Sequence, residues 1–390
     1  MPASGKKCKF QHKGTIVHIA SKKHDYLPAL TGLRFVLAIW VVLHHLSGQR
    51  MMLESFTNSL PVWGQSLVHG GYLAVETFFI LSGFVLARTY AHAEWKGRDL
   101  LHYGAARIAR IYPVYLLSLL VVMPFIIEAM LKPTRTAAQK MNLLVDYGFV
   151  LQGWTGGLNV GWNTPAWTLS CEFFFYLLFP LLILAMRRAR RPAIFAVLGI
   201  CLVTPVILAH SNVPWTWKPI YHLSDFAAGI AGARIFGWLQ PRMFRRGYYL
   251  YLPAVLAGTL LIIFPRLMDG TYGDVNTGLR PLNVLALIGF SLGGGTLARL
   301  LSSRVAEYLG KASYSMYILH VPLLWWYGQW ATTGPLHLPG IVAALLYLAI
   351  VIAISTVVFE RVEVPANRWV RSLVTAQIRR TEPVALRAAA

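Results

Sequence analysis

An arginine and a histidine stand eleven residues apart in the apolar run Leu33-Arg34-Phe35-Val36-Leu37-Ala38-Ile39-Trp40-Val41-Val42-Leu43-His44-His45. In a helix, eleven steps of 100° leave Arg34 and His45 about 20° apart around the axis and about 16 Å apart along it, so both line one track. A guanidinium at one depth and an imidazole at another can hold an anion and move a proton. The bland alternative is an arginine that snorkels to the surface and histidines that mark the end of the helix. Two acids lie in similar settings. Glu76 follows Gly71-Tyr72-Leu73-Ala74-Val75 and precedes a run containing Ser82, and Glu172 lies in Trp167-Thr168-Leu169-Ser170-Cys171-Glu172-Phe173-Phe174-Phe175-Tyr176. A carboxylate beside an imidazole fixes its tautomer and raises its basicity, so Glu76 or Glu172 is expected to orient His45, or its neighbour His44, as a general base.

Weaker signals follow. Arg107 and Arg110, in Arg107-Ile108-Ala109-Arg110-Ile111-Tyr112-Pro113, share one face of a helical turn and can clamp a phosphate, although ordinary loop arginines look the same. His320 lies about two turns into a later apolar run and either packs or lines a cavity. Asp225 is another acid in an apolar run, with no obvious partner. The Gly293-Gly294-Gly295 run lacks the Lys-Ser/Thr of a phosphate loop and reads as close helix packing. Cys8, Cys171 and Cys201 are too scattered for a disulfide framework, and no clustered metal-ligand spacing or serine-hydrolase elbow occurs, so no metal is expected.

The elements that must position these residues are membrane helices. Of 390 residues, 56% are hydrophobic and only 13% charged, where a soluble domain carries roughly a quarter. The mean hydropathy is +0.53. Ten segments have the ~20 apolar residues of a span: 28–47, 71–88, 111–131, 165–186, 193–210, 220–239, 248–265, 281–300, 314–331 and 340–358. With the N-terminus in the cytoplasm, inner segments hold 27 of the 36 Lys+Arg and outer loops seven, among them Lys218 and Arg280. That bias predicts an even number of helices with both termini cytoplasmic. It also accounts for most of the net charge of +21 without a nucleic-acid partner. The expected organisation is a basic cytoplasmic tail over 1–26, with Lys6, Lys7, Lys9, Lys13, Lys22 and Lys23, a membrane domain over 27–360, and a basic cytoplasmic tail over 361–390. The longest outer loop, 132–164, is rich in Gly and Trp, including Gly153, Trp154, Gly156, Gly157, Gly161 and Trp162, and suits an interfacial segment or lid.

Several blocks, in order, resemble the acyltransferase-3 family of integral membrane O-acyltransferases: the Arg-x10-His pair of Arg34 and His45, the Gly71-to-Gly83 helix, the Arg-x-x-Arg of Arg107 and Arg110, the Trp167-to-Tyr176 helix and the Ser313-to-Pro322 helix. The family's ten-helix core agrees with the hydropathy count. Two positions depart from its pattern. Glu76 stands where many relatives carry Asp, and Thr168 replaces a more usual Ser, leaving Ser170 as the hydroxyl before Glu172. The C-tail is too short for the hydrolase-like domain that some relatives carry, so a stand-alone form is expected.

The resemblance implies a cytoplasmic acyl-CoA donor, with acetyl-CoA the expected form, and a hydroxyl acceptor outside, a carbohydrate or glycolipid. Its phosphates would be held by Arg107 and Arg110, with Ser82, Tyr176 and His320 also in the donor site and Arg34 along the path. His45 would meet the thioester near the outer face, and Trp154, Trp162 and Trp167 are candidates to stack on sugar faces. A bacterial inner membrane location is implied. Acylation of a small natural product such as a macrolide, a flippase of lipid-linked sugars and an inactive assembly protein remain as other readings, although paired interrupted helices in two repeated halves are not apparent.

Overall fold

The computed structural model describes residues 26–381, apart from 134–135, 156–161, 210, 212, 215–216, 265–271 and 334–337. The N-tail lysines, Cys8, Gly156, Gly157, Gly161, Arg135, Arg266 and the end of the C-tail lie outside the described residues. The described residues contain no strand. Each of the ten apolar segments is a helix or a broken pair. In order they are α1 Pro28–Leu46, α2 Ala74–Thr89, α3 Gly97–Leu131, α4 Trp167–Arg188, α5 Arg191–Ala209, α6 Lys218–Met243, α7 Tyr248–Ile263, α8 Tyr272–Leu292 continued by α9 Gly295–Leu301, α10 Arg304–Thr333 and α11 Gly340–Val358. A π-helical turn, Phe359–Glu363, leads into α12, Val364–Thr381.

Among the described residues, six helical stretches are long and apolar enough to cross a membrane, or seven if the bent α8–α9 pair counts as one span. The hydropathy count of ten is therefore larger than the number that length and composition support. The reason is visible in α6 and α10, whose interiors carry His222, Asp225 and Arg234, and Lys311 and His320, and in α7, which has only 16 residues. The outer surface is apolar, as lipid requires: on α4, Leu177 is 75% and Leu181 68% exposed.

Without a hydrophobic force between helices in lipid, close backbone packing has to hold the bundle together. Glycines provide it where α2 crosses α6. A Cβ on Gly83 would fall 2.0 Å from the Phe226 carbonyl oxygen, and one on Gly229 would fall 1.9 Å from that of Ile80. Around this crossing Phe175 and Phe226 stack at 5.0 Å between centroids, and Phe79 meets Phe175 edge-on at 5.2 Å. The triple glycine gives the close packing expected, since a Cβ on Gly294 would fall 1.9 Å from the Arg245 carbonyl oxygen, and it makes a turn besides. All three residues have positive φ (72°, 88° and 76°), which only glycine adopts without strain, and they turn α8 into α9 through 81°.

Four sequence expectations change. Arg107 and Arg110, outside the apolar segment 111–131, lie within the same helix as that segment, because α3 begins at Gly97 and runs for 35 residues. Arg280 and Lys218, counted with the outer loops, lie in helices and are 6% and 8% exposed. Residues beyond 360 are not a simple tail, since α12 packs along α3. Trp162 is 4% exposed against Tyr147, and Trp167 lies against Phe79 and His222, so neither is placed as an open sugar platform.

Candidate active site

Six helices surround a narrow cavity of about 240 Å³. Its wall on α2 runs from Thr89 to Val75, fourteen steps or about 21 Å of helix. A space that long suits an extended, flexible chain. Four arginines line it: Arg34 from α1, Arg107 and Arg110 from α3, and Arg371 from α12. Glu172 and Tyr176 face them from α4, Ser82 from α2, and Tyr314 and Tyr317 from α10. The sequence pattern thus brings Arg34, Ser82, Arg107, Arg110, Glu172 and Tyr176 together around one space.

The polar contacts hold the arginines in place while leaving positive charge over. Arg107 lies over three tyrosine rings, 5.9, 5.7 and 5.6 Å from the centroids of Tyr90, Tyr103 and Tyr176, and its buried Nε has no hydrogen-bond partner among the described residues. Arg110 sits 5.7 Å over Tyr314 and 4.0 Å from the Glu363 carboxylate. Glu363 also accepts from Ser315 at 2.8 Å, and Glu172 accepts from Tyr176 at 3.0 Å. Four guanidinium groups therefore face two carboxylates, and the surplus suits a phosphorylated ligand held through charge-assisted bonds.

A histidine pair lies beyond the far end of the cavity. His320 follows Tyr317 by one turn on α10, about 4.5 Å of rise. Its Nδ1 bonds the Tyr317 carbonyl at 2.7 Å, and its ring nitrogen Nε2 lies 3.4 Å from Nδ1 of His45. His45 Nδ1 also bonds the Val41 carbonyl, at 2.9 Å. A carbonyl only accepts, so each Nδ1 carries the proton and each Nε2 keeps its lone pair. The Tyr347 hydroxyl donates to the backbone carbonyl of His320 and fixes its turn. His44 turns the other way, toward Tyr72, with ring centroids 5.7 Å apart. The two neighbouring histidines thus face different partners, His45 toward His320 and His44 toward Tyr72.

The expected partnership of His45 with Glu76 or Glu172 does not form. Glu172 belongs to the arginine cavity. Glu76 accepts from Arg280 Nη2 at 2.9 Å, and Arg280 Nε donates to Asp225 at 2.7 Å, which in turn bonds His222 Nδ1 at 2.9 Å. Asp225 therefore has two partners. Carboxylates buried at membrane depth need a counter-charge, and Arg280 supplies it to both. Ligand-type atoms of Glu76, His222 and Asp225 lie within 4.8 Å of one another, but the arginine already occupies the role of their cation. Ser170 is likewise committed elsewhere, donating to Val150 O at 2.6 Å and accepting from Gly153 N at 3.0 Å, while Thr168 lines the cavity.

Sequence reasoning missed Arg280, Glu363, Asn367, Arg371, Tyr314 and Tyr317. A signal existed for two of them: Tyr314, Tyr317 and His320 recur at intervals of three, which puts them on one helical face.

Comparison with known proteins agrees with this architecture. The acyltransferase-3 family, described as an acyltransferase domain, matches residues 27–360. The chain is 30% identical to the acyltransferase MdmB of Streptomyces mycarofaciens, over 88% of this chain and 92% of that one. It is 23% identical to the O-acetyltransferase OatA of Staphylococcus aureus and 24% identical to the peptidoglycan O-acetyltransferase OatA of Listeria monocytogenes. It spans only 57% and 56% of those two proteins. No solved structure matches. The chain belongs to the acyltransferase-3 family and is a multi-pass membrane O-acyltransferase.

Proposed function

We propose that the chain, in a bacterial inner membrane with both termini cytoplasmic, transfers an acetyl group from cytoplasmic acetyl-CoA to a hydroxyl of an extracytoplasmic saccharide or glycolipid. The observation that carries this reading is the arginine-lined cavity, whose mouth lies at the end of the bundle that the charge bias assigns to the cytoplasm. The donor's phosphates would meet Arg107 and Arg110, and its pantetheine arm would extend past Arg34 toward Tyr317. The activity of the Listeria relative, a peptidoglycan O-acetyltransferase, supports a carbohydrate acceptor.

In this reading His45 Nε2 takes the proton of the acceptor hydroxyl as its oxygen attacks the thioester carbonyl. The tetrahedral oxyanion collapses, the C–S bond breaks, and the CoA thiolate leaves and recovers the proton from His45. While His45 is protonated, its Nδ1–H faces Val41 O and the lone pair on His320 Nε2, both of which favour the cation. His320 is thereby a positioning residue for His45 rather than a donor-binding one.

Incubating the purified protein with labelled acetyl-CoA and an acceptor tests the reading: label transfer is expected, and His45→Ala at matched protein amounts should abolish it. Full transfer by that variant would remove His45 as the base. A second reading is acylation of a small hydroxylated natural product. Mass spectrometry of acylated glycans and small metabolites, with and without the gene, separates the two.

A further inference from the structure

Helix α12 lies beyond the residues matched by the family. From it Asn367 and Arg371 reach the cavity wall, alongside Arg107 and Arg110 on α3. The π-helical turn before it turns Glu363 inward, where it is 4% exposed and meets Arg110 and Ser315. The same turn is tied from outside by Tyr308, whose hydroxyl donates to Glu360 at 2.7 Å. The entry of α12 is thus fixed to α10 and α3, and Arg371 is held at the mouth rather than carried on a loose tail.

Arg371 stands at a junction. It lines the narrow cavity and also an open, shallow recess on the surface of α12 beside Ser372, Thr375 and Ala376. It is exposed, whereas Arg107, Arg110 and Arg34 are part-buried further in, and it lies within electrostatic reach of Arg107 and Arg110. Like charges gathered in this way repel unless an anion lies between them. From mouth to interior the cations run Arg371, then Arg107 and Arg110, then Arg34. From its nucleotide end, acyl-CoA presents a 3′-phosphate, then a pyrophosphate, then the uncharged pantetheine arm.

We infer that Arg371, on α12, binds the 3′-phosphomonoester of the acyl-CoA donor, with the adenosine in the open recess and the pyrophosphate left to Arg107 and Arg110. The inference rests on the acyl-CoA reading above. A phosphomonoester carries about −1.5 to −2 charges, so a fork-shaped guanidinium is the fitting partner.

The test is binding of CoA and of 3′-dephospho-CoA to the full-length protein in nanodiscs of phosphatidylcholine, with and without phosphatidylglycerol. Wild type should bind CoA about ten- to a hundredfold more tightly than dephospho-CoA, the range expected for loss of a charge-assisted contact. Arg371→Gln should weaken CoA to the dephospho-CoA level and leave dephospho-CoA unchanged, and Arg371→Lys should recover part of the difference. Matched melting temperatures exclude misfolding. If Arg371→Gln weakens both ligands equally, or neither, the assignment falls. Should Arg107→Gln and Arg110→Gln weaken CoA while Arg371→Gln does not, the donor reading stands and this inference alone fails. Wild type that binds no CoA overturns both. If Arg371 instead serves anionic lipid, CoA affinity is unmoved by the substitution while phosphatidylglycerol raises the melting temperature of wild type only, and that result also overturns the inference.

Discussion

Replacing Glu76 by Gln separates a catalytic from a structural role for this acid. Its carboxylate is 7% exposed and bonds Arg280, which also bonds Asp225, so one guanidinium faces two acids. Glutamine keeps an oxygen at the acceptor position, and Asp225 remains as the counter-charge. The change therefore replaces a charge-assisted hydrogen bond, worth about 1.5–3 kcal/mol, with a weaker one to a neutral oxygen, worth about 0.5–1.5. A loss of about 1 kcal/mol follows. Arg280→Gln is the contrasting perturbation: it leaves two buried carboxylates without a cation and should cost about 3–5 kcal/mol. If Glu76 oriented the base, Glu76→Gln would lower the rate on the order of a hundredfold or more. The structure predicts a change in kcat within about threefold. Thermal denaturation in detergent and transfer of label from acetyl-CoA measure the two effects. A Glu76→Gln protein that melts like wild type but loses a hundredfold in kcat would refute the assignment of Glu76 to the structural cluster.

Three further outcomes follow from the geometry. His320→Ala removes the acceptor beside His45 Nδ1 and should lower kcat about ten- to a hundredfold with KM for acetyl-CoA little changed, a loss of about 1–3 kcal/mol of charged hydrogen bonding. His320→Gln should restore part of it, and an unchanged kcat in His320→Ala would rule out the positioning role. Gly229→Ala puts a Cβ against the Ile80 carbonyl oxygen and should destabilise the α2–α6 crossing by about 1–3 kcal/mol in thermal denaturation, whereas an unaltered melting temperature would mean that the backbones are not in contact there. Phe175→Ala empties a fully buried ring site and should cost about 3–5 kcal/mol, measured in the same way.

Much of the bundle was legible because a membrane imposes one rule on every span: apolar outside, with polar groups inside only where they have work or partners. That rule picked out Arg34, His45, Glu76 and Glu172 and found a helix for each apolar segment. It could not pair them. Helical facing fixes an angle on one helix, so Arg34 and His45 could be related, but which acid meets which base depends on how helices far apart in sequence pack. Arg280 illustrates the limit. Beside Pro281 at the edge of an apolar run it looked like a loop charge, and only the packing of α8 against α2 and α6 shows that it neutralises Glu76 and Asp225. Arg371 was hidden for a related reason: a basic stretch after the last apolar run has the composition of a tail, and its return to α3 depends on the inward-facing Glu363.

The central claim is that donor and acceptor meet across the bundle, with the donor entering through the arginine-lined mouth on the cytoplasmic side. Membrane vesicles of defined orientation, given labelled acetyl-CoA from outside, test it most directly. Inverted vesicles, which expose that mouth, should incorporate label in a manner abolished by His45→Ala, and sealed right-side-out vesicles should not. Equal, His45-dependent incorporation in sealed right-side-out vesicles would contradict it.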